Sequence, residues 1–599
     1  MKLSDYIFER LKAWGADHVF LVTGGGAMHL NNSIAASELP YTCTHHEQAA
    51  AMAAEGYARI ARRPAIVNVT TGPGSINALN GVFGAWTDSI PMLVLSGQVK
   101  RETCMATYGL TDLRQLGDQE VDIIRMVRGI TKYAMLVTDP ESIAYHLERA
   151  WSLARGGRPG PCWLDIPVDV QSAQIDRESL RHYDQKEDAL IFDEGRVRTQ
   201  AADVVERIGQ AKRPVIFAGS GVRHGDAGAE FERVIHGLQI PVVTAWTHDL
   251  IASDHPLFCG RPGTIGERAG NFTVQNADLV LILGSRLNIR QISYNWKSFA
   301  RHAVKIQVDI DEAELRKPLM QPDVAIHCDL KLFLAELARL VDNNEVRNSD
   351  HRAWTQKACA WKTRYPVVQS HQRVDGPPLN SYDFVDKLFD LLGPDDAIVC
   401  GNATACIVPF QAAKLKQGQR LISNSGSASM GYDLPAAIGA ATARKARTIC
   451  LAGDGSLQMN IQELQTVVGN QLPVKIFVLN NGGYLSIRQT QTGFFGDRRI
   501  GESAASGVTL PSIRKLGTAY GIPSFTIEKA ADMEIVRREL QSSGPTLFDV
   551  HLDPAQQFEP RLRSRALPDG TIVTPELDDM YPFLSPEELA ANRIAKIKA

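Results

Sequence analysis

The sequence lacks the features that mark disulfide-stabilised, membrane-spanning and nucleic-acid-binding proteins. Its nine cysteines form no Cys-x-x-Cys pair, which argues against a disulfide framework or zinc ribbon and favours a reducing compartment. No run approaches the ~18 uncharged apolar residues of a membrane span, and the charged N-terminal stretch does not fit a signal peptide. Lys and Arg number 64 against 67 Asp and Glu, unlike a nucleic-acid binder. We expect a cytoplasmic protein with no nucleic-acid or membrane partner.

The 599-residue chain is long enough for three or four domains. Short apolar runs alternate with helical patterns such as residues 47–62, and this alternation predicts parallel sheets covered by helices on both faces. The sequence therefore indicates an α/β fold of three parallel-sheet domains followed by a tail. A charged stretch, residues 176–198, is predicted to be a linker. The predicted bounds are residues 1–175, 199–344 and 381–554 for the domains and residues 555–599 for the tail.

Four apolar runs carry the strand predictions in each domain. In the first domain they are residues 18–22, 65–70, 92–96 and 162–166. In the second they are residues 214–218, 241–244, 279–283 and 304–309. In the third they are residues 397–400, 448–452, 474–479 and 546–551.

The strongest motif lies at two predicted strand ends in the third domain. The run Gly453-Asp454-Gly455-Ser456 follows one strand, the pair Asn480-Asn481 ends the next, and 24 residues lie between Gly455 and this pair. Because both strands belong to a parallel sheet, these residues are expected to meet at its carboxyl edge, where open α/β sheets bind ligands. A Gly-Asp-Gly turn alone is common, but the spacing makes the pattern specific.

The residue types in this motif suit a metal-bound diphosphate. Asp454 offers an anionic oxygen and Asn481 a neutral one, both of which suit Mg²⁺. A glycine turn lets the Gly483 carbonyl face the same ion. Gly455 and Ser456 open a helix whose N-terminal amides favour a diphosphate.

The motif resembles the one that binds thiamine diphosphate, and the resemblance extends over nearly the whole chain. It includes the runs HHEQAAAMAAEGYAR, TTGPGSINALNG, SIPMLVLSGQV and SMGYDLPAAIGAA. The chain resembles the acetolactate synthase branch of thiamine diphosphate enzymes. The resemblance implies a pyrimidine-binding domain, a Rossmann-like central domain and a diphosphate-binding domain. It also implies an active site between the first domain of one subunit and the third domain of another, hence a homodimer at minimum, with a homotetramer left open.

Glu47 begins the helical pattern at residues 47–62, where a carboxylate also stabilises a helix through its dipole. The resemblance implies that Glu47 hydrogen-bonds the aminopyrimidine ring and activates the cofactor for attack on a 2-oxo acid. It further implies that Gly74 contacts the cofactor and that Met430 supports its bent conformation, although Met430 alone would pass as a core residue.

The middle segment lacks a G-x-G-x-x-G run. Gly and Asp residues instead follow several of its strands, in an order that resembles the FAD-binding domain of acetolactate synthases. The family run Arg-Phe-Asp-Asp-Arg keeps both arginines here, with Leu-Asn-Ile between them. The resemblance implies a bound FAD without a net redox role. Its expected contacts are Gly219, Gly221, Arg286, Arg290, Asp309 and Asp329.

Two departures from the family pattern concern the substrate pocket. A Phe-Gln-Glu triplet is replaced by Asp118-Gln119-Glu120, and a Trp is replaced by Thr490. Losing an indole opens space beside the cofactor, which favours an acceptor larger than a second 2-oxo acid. We expect Gln119, Asp118 and His29 to contact substrate, and Ile487 and Thr490 to line the pocket.

The expected reaction is decarboxylation of pyruvate and transfer of the two-carbon unit to a carbonyl acceptor. The runs NNGGYLSIRQTQ and DPAQQFEPRLRS resemble a sub-branch with yersiniose-type sugar carboligases and cyclohexane-1,2-dione hydrolase. A nucleotide-linked 4-keto-deoxysugar is therefore the expected acceptor, with Arg488, Arg498 and Arg499 as candidates to meet its diphosphate. The alternatives are an acetolactate synthase, a cyclic 1,2-diketone hydrolase in which Asp118 activates water, a flavin-reducing oxidase, and a non-catalytic binding protein.

Overall fold

The structure is a computed structural model that describes residues 1–343, 350–566, 569 and 571–595. The predicted domain end at residue 344 and the last four residues of the predicted tail lie outside the described residues. Three parallel sheets follow one another along the chain, which confirms the predicted fold class. Among the described residues, no helix combines the length and the apolar character needed to cross a membrane.

The first part of the chain contains one six-stranded sheet. Its strands are β1 (Val19–Leu21), β2 (Tyr41–Cys43), β3 (Ala65–Val69), β4 (Met92–Gln98), β5 (Tyr133–Leu136) and β6 (Pro161–Pro167). Its helices are α1 (Leu3–Ala13), α2 (Met28–Ala36), α3 (Glu47–Ala61), α4 (Pro73–Asn77), α5 (Leu79–Thr87), α6 (Ile123–Val127), α7 (Ile143–Arg155) and α8 (Val168–Gln171). The strand order is β2-β1-β3-β4-β6-β5, with all neighbours parallel.

The middle part contains a five-stranded parallel sheet. Its strands are β7 (Pro214–Ala218), β8 (Val242–Thr244), β9 (Leu279–Leu283), β10 (Val304–Asp309) and β11 (Val324–His327). Its helices are α9 (Glu194–Gln210), α10 (Gly221–His224), α11 (Gly228–Leu238), α12 (Arg268–Asn276), α13 (Ile289–Ile292), α14 (Glu312–Leu315), α15 (Leu330–Asp342) and α16 (Arg352–Arg364). The strand order is β11-β10-β9-β7-β8. Apolar cores pack on both faces of this sheet.

The last part contains the third sheet, again with six parallel strands. They are β12 (Ala397–Cys400), β13 (Arg420–Ile422), β14 (Thr448–Gly453), β15 (Val474–Asn480), β16 (Ser524–Ile527) and β17 (Thr546–His551). The helices are α17 (Ser381–Leu391), α18 (Thr404–Ala412), α19 (Asp433–Arg444), α20 (Asp454–Leu457), α21 (Glu463–Gly469), α22 (Leu485–Phe495), α23 (Ile513–Ala519) and α24 (Met533–Glu539). The strand order β13-β12-β14-β15-β17-β16 repeats that of the first sheet.

The predicted linker is shorter than the sequence indicated. Helix α9 begins at Glu194, so the last five residues of the stretch 176–198 are helical. Asp193 explains this start, because its carboxylate accepts the N–H groups of Gly195 and Arg196 and caps the helix.

The tail carries the antiparallel pair β18 (Arg565–Ala566) and β19 (Ile572–Val573) and the helix α25 (Pro586–Asn592). Phe558, Leu577 and Met580 are buried, and Asn271 donates a hydrogen bond to the Leu577 carbonyl at 2.8 Å. Apolar side chains therefore hold the tail onto the part of the chain that carries α12.

The chain divides into two compact units. One comprises residues 1–190, 395–406 and 420–552 and therefore holds the first and third sheets. The other comprises residues 191–394, 407–419 and 553–599 and holds the middle sheet and the tail. Within the first unit, the alanine-rich helices α3 and α19 share one apolar core, so the first and third sheets are joined by close helix packing.

Candidate active site

The loops after β14 and β15 meet at the carboxyl edge of the third sheet, because these strands are parallel neighbours. Asp454 opens α20 and is 2% exposed. Its carboxylate accepts the N–H of Gly455 at 2.8 Å and the N–H of Gly483 at 2.9 Å. Burial raises the pKa of Asp454, and these backbone donors oppose that rise. The structure thus brings together the two loops that the spacing placed at one edge.

Asn481 has a buried oxygen that the protein leaves without a partner. Its amide nitrogen donates to the Thr404 hydroxyl at 3.2 Å, whereas its Oδ1 has no hydrogen bond among the described residues. A buried acceptor in this state costs about 1–3 kcal/mol. A cation with oxygen ligands would remove that cost, so the pair Asp454 and Asn481 fits a magnesium ion.

Gly483 occupies a turn that only glycine tolerates. Its φ is +124°, and a side chain there would overlap the carbonyl oxygen of Glu502. The Gly483 carbonyl accepts the N–H of Leu485 at 3.1 Å, which leaves one lone pair for a further partner.

Ser456 links the Asp454 loop to the segment that carries Met430. Its hydroxyl accepts the N–H of Gly431 at 2.8 Å and donates to Asp433 at 2.6 Å. Asn460 donates to the Gly431 carbonyl at 2.7 Å. The N–H and the carbonyl of Gly431, which follows Met430, are therefore fixed by Ser456 in α20 and by Asn460 just after that helix. Burial raises the pKa of Asp433 to about 6. No sequence pattern predicted Asp433 or Asn460, although Asp433 lies within the run SMGYDLPAAIGAA.

Glu47 opens α3 beside the short helix α4, which contains Gly74. Asn77 donates to the Glu47 carboxylate at 3.0 Å and is its only hydrogen-bond donor in the described part of the chain. A Cβ on Gly74 would lie 3.2 Å from the other carboxylate oxygen, so glycine lets the two approach. The carboxylate is half-buried and accessible to a ligand. Asn77 was not predicted, although it lies within the run TTGPGSINALNG.

The backbone of Gln119 lies against Gly72, the residue before α4, and it is strained. Its φ is +65°, and its carbonyl lies so close to Gly72 that a side chain there would overlap it. Non-glycine residues with positive φ persist where the surroundings enforce them, often at functional sites. The side chains of Gln119 and Asp118 are both exposed, and His29 lies half-buried in α2. Of these three predicted contacts, the structure places the backbone of Gln119 next to the start of α4, the helix that neighbours Glu47.

Glu120 holds this strained segment in place. It is 6% exposed, and its carboxylate accepts the N–H groups of Met105, Leu116 and Gly117. The third residue of the Asp-Gln-Glu triplet therefore organises the loop.

Helix α22 carries Ile487 and Thr490, and both are exposed. The Thr490 hydroxyl donates to the Ser486 carbonyl of the same helix at 2.9 Å. Its oxygen keeps a lone pair for an incoming hydroxyl group.

Arg488 does not fit the predicted contact to a nucleotide diphosphate. It pairs with Glu502 at 2.6 Å and donates to the carbonyls of Gly482 at 2.9 Å and Asn481 at 3.4 Å. Glu502 neutralises its charge, so Arg488 instead clamps the loop that follows Asn481. Arg499 lies 3.7 Å from the same carboxylate.

In the middle domain, the predicted flavin contacts lie at the carboxyl edge of the sheet. A Cβ on Gly219 would overlap the Gly284 carbonyl oxygen, and one on Gly221 would lie 2.6 Å from the Gly284 Cα, so close backbone packing explains both glycines. Asp309 accepts the N–H of Asp311 at 3.0 Å. Asp329 caps α15 through the N–H groups of its first turn.

Of the two arginines predicted to contact FAD, Arg290 is exposed and lies over the Trp246 ring. Arg286 is half-buried, and its carbonyl accepts a hydrogen bond from Lys317.

Two polar residues at this edge were not predicted. The Thr244 hydroxyl, at the end of β8, and both ring nitrogens of His248 are buried without a partner among the described residues. Burial lowers the pKa of His248 to about 3, so its ring is neutral. Orphaned polar atoms at a sheet edge fit a bound polar group, and FAD meets that requirement.

Models of three thiamine pyrophosphate enzyme domains match the chain. The N-terminal TPP binding domain matches residues 1–126, the central domain residues 201–337 and the C-terminal TPP binding domain residues 401–550. Their order is that of the three sheets. Fold and site thus define a three-domain protein built to hold thiamine pyrophosphate, also called thiamine diphosphate.

Curated relatives match over almost the full chain. Acetolactate synthase isozyme 1 large subunit of Escherichia coli K12 is 32% identical over 93% of this chain and 95% of the relative. Acetolactate synthase large subunit of Lactococcus lactis is 30% identical over 93% and 94%. The chloroplastic acetolactate synthase of Arabidopsis thaliana is 31% identical over 92% and 81%. The chain belongs to the thiamine pyrophosphate enzyme family, in its acetolactate synthase branch, and is an enzyme of that family.

Proposed function

We propose that the chain is a thiamine diphosphate-dependent carboligase that decarboxylates pyruvate and transfers the two-carbon unit to a carbonyl acceptor. The observation that carries this proposal is the orphaned Oδ1 of Asn481 beside the buried carboxylate of Asp454. The names of the relatives, all acetolactate synthases, support a 2-oxo acid as donor. When bound, thiamine diphosphate supplies the electron sink that loss of CO₂ requires.

The residues of this chain have separate tasks in the proposal. Asp454, Asn481 and the Gly483 carbonyl would hold Mg²⁺, and the first turn of α20 would meet the diphosphate. Glu47 would hydrogen-bond a ring nitrogen of the aminopyrimidine and so select the tautomer of that ring. Ser456 and Asn460 hydrogen-bond the backbone of Gly431 and so position the neighbouring Met430.

The substitution Glu47→Gln tests the central assignment. We expect thiamine diphosphate binding to remain, because Asn77 can still bond the side-chain oxygen, while exchange of the thiazolium C2 proton slows by orders of magnitude. Proton exchange followed by NMR and cofactor binding followed by fluorescence measure the two effects separately. Asn77→Ala is the matched control, since it keeps the carboxylate. Unchanged exchange in Glu47→Gln would remove Glu47 from the mechanism.

For the acceptor, we propose a large hydroxylated carbonyl compound such as a nucleotide-linked 4-keto-deoxysugar. Thr490 stands where the family has a Trp, and it lies exposed on α22 with Ile487 one turn away. The missing indole leaves room for such an acceptor, and the Thr490 oxygen can accept a hydrogen bond from it. A second 2-oxo acid, which gives acetolactate, is the competing acceptor, and the names of the relatives favour it.

An NMR experiment separates the two acceptors. The holoenzyme is incubated with [2-¹³C]pyruvate alone, and then with a CDP-linked 4-keto-deoxysugar added. A labelled branched-sugar carbon that appears only with the sugar supports the proposal. Acetolactate as the sole product in both tubes identifies an ordinary synthase. A third tube, with cyclohexane-1,2-dione in place of pyruvate, tests the hydrolase alternative, in which the exposed Asp118 would activate water.

We also propose FAD as a ligand of the middle domain, on the strength of the orphaned Thr244 and His248 atoms. The purified protein is then expected to show flavin absorbance and to release FAD on denaturation. His248→Phe, which keeps an aromatic ring of similar size, should lower the flavin content. Full flavin content in that variant would exclude His248 as a contact.

For the assembly, we propose a homodimer whose partner covers the first unit near Glu47. Large apolar side chains are exposed on the elements around the site, an arrangement typical of an interaction surface. Among them are Ile76, Phe83, Trp86, Leu113, Leu116, Met126, Phe494 and Phe495. A cytoplasmic location remains a prediction.

A further inference from the structure

Two cysteines of the second unit lie in direct contact although 100 residues separate them in the sequence. The sulfur atoms of Cys259 and Cys359 are 3.0 Å apart. Cys259 is fully buried beside the bridge between Val242 and Phe258. Cys359 lies on α16 and is partly exposed. One sulfur can therefore meet a reagent from solvent while the other lies directly behind it.

The surroundings of the pair give the two sulfurs different acidities. A hydrogen bond from the Cys259 thiol and the nearby Lys362 ammonium lower the pKa of Cys359 to about 7, against the effect of burial. The pKa of Cys259 is raised, first by its bond to Cys359 and then by burial. Lys362 is fixed in place, because its Nζ donates to the carbonyls of Ser253 and Phe258 at 2.9 Å each. Cys359 is thus the nucleophile of the pair and Cys259 its thiol partner.

We propose that Cys359 and Cys259 form a reversible modification site at which a hydroperoxide oxidises the two thiols to a disulfide. The Cys359 thiolate attacks one peroxide oxygen, the O–O bond breaks, and the leaving oxygen takes a proton from solvent. Cys359 becomes a sulfenic acid. The Cys259 sulfur then attacks the Cys359 sulfur, an S–S bond forms, and the hydroxyl group leaves as water with the Cys259 proton. The two thiols lose two electrons and the hydroperoxide gains them.

The disulfide would join α16 to the segment that follows β8, and it would close a loop that contains β9, β10 and β11. It would therefore restrain the middle domain against unfolding. A dithiol reductant returns both cysteines to thiols, so in a reducing compartment the pair stays reduced until an oxidant is present. The proposal does not depend on the carboligase reaction.

The test uses the full-length holoenzyme treated with hydrogen peroxide. We expect the denatured protein to lose two of its nine titratable thiols and peptide mapping to find Cys259 linked to Cys359. Dithiothreitol should restore all nine thiols. The oxidised protein should also unfold at a higher temperature than the reduced one. Cys43→Ser is the control, because Cys43 is exposed on β2 and lies outside the pair.

Single variants assign the two roles. Cys359→Ser should form no disulfide, whereas Cys259→Ser should accumulate a sulfenic acid on Cys359 that dimedone traps. The same thiol loss in Cys359→Ser as in the native chain would overturn the proposal. So would oxidation of native Cys43 in preference to Cys359. Peptide mapping of the native protein decides the question even where a variant fails to fold.

Discussion

At the residue scale, the candidate site combines a carboxylate held by backbone donors with a buried amide oxygen that has no partner among the described residues. The Asp454 carboxylate is held by backbone N–H groups of its own loop and of the neighbouring one. Asn481 uses only its nitrogen, toward Thr404, and leaves its oxygen buried and unpaired among the described residues. Evolution tolerates such a cost where a ligand removes it on binding. In the loop next to the buried Asp454 carboxylate, the orphaned oxygen adds a structural reason for a metal that the motif alone does not give.

The substitution Asn481→Ala tests this reasoning. The Oδ1 of Asn481 has no partner among the described residues, so removing the side chain costs the apo protein little beyond the hydrogen bond to Thr404. We therefore expect the melting temperature of the apo protein to change little. Retention of thiamine diphosphate should weaken at least tenfold and recover in part at high Mg²⁺. Calorimetry of cofactor binding at several Mg²⁺ concentrations measures this. Thr404→Val is the control, since it removes the bond to the Asn481 nitrogen and keeps the oxygen. Equal losses in both variants would contradict a metal role for Asn481.

The sequence predicts the site residues that lie at the ends of adjacent parallel strands. It does not predict those that reach the site through contacts between distant parts of the sequence. The carboxyl ends of adjacent parallel strands bring Asp454 and Asn481 to one edge, and spacing alone is enough to predict this. Thr404 contacts Asn481 across 77 residues and Asp433 contacts Ser456 across 23, so no local pattern reveals either. The metal and substrate roles themselves remain predictions.

At the scale of elements, the strands that the sequence predicted are the interior ones, together with the short edge strand β8. In the three parallel sheets, the five strands it missed all lie at sheet edges. They are β2, β5, β11, β13 and β16. An edge strand pairs on one side only and remains partly exposed, so it does not need the continuous apolar run by which buried parallel strands are recognised. β5 is half-buried throughout and β11 has two exposed residues, which accounts for the omission.

The loop that carries Gln119 yields a prediction for Glu120→Gln. The substituted amide has one acceptor oxygen in place of two, so at least one of the three N–H groups at Met105, Leu116 and Gly117 loses its partner. Gln119 would then relax from its positive φ. We expect KM for pyruvate to rise several-fold and deuterium uptake across residues 104–120 to increase, while thiamine diphosphate binding is kept. The exposed Asp118→Asn serves as control for uptake. Unchanged uptake in Glu120→Gln would show that the carboxylate does not hold the loop.

At the scale of the whole molecule, buried acids make stability depend on pH. Burial raises the pKa of Glu55 and of Asp165 to about 7 each. Both groups bind a proton more tightly in the folded state. Their contribution to the free energy of unfolding is therefore complete below the unfolded pKa near 4 and is lost as pH rises through about 7. Each group contributes a slope of up to about 1.4 kcal/mol per pH unit.

The substitution Asp165→Asn isolates one of these slopes. Ser96 and Gln98 donate to the Asp165 carboxyl at 2.6 and 2.9 Å, and an amide of the same shape removes the charge. We expect the fall in unfolding free energy between pH 5 and 8 to become shallower than in the native chain. Urea unfolding across this range measures it, with Asp118→Asn as an exposed control. A slope equal to that of the native chain would mean that Asp165 stays ionised in the folded protein.

The first and third sheets have the same strand order, and each contributes residues to the candidate site. In a dimer, a complete site combines either the two sheets of one chain or one sheet from each chain. Glu47 belongs to the first and Asp454 to the third, and no hydrogen bond joins them within the described part of one chain. If the site forms between subunits, a heterodimer of Glu47→Gln and Asp454→Asn chains contains one intact site and one doubly altered site. Purified through two different tags, it should show roughly half the native activity.

The two altered homodimers give the baseline for this comparison, because each of their sites carries one defect. A heterodimer no more active than they are would place the complete site within a single chain. Activity above the baseline requires a site formed between subunits, because only such a site combines an unaltered Glu47 from one chain with an unaltered Asp454 from the other. The experiment thus decides whether a lone subunit can catalyse the reaction, and that in turn sets whether activity falls with dilution as dimers dissociate.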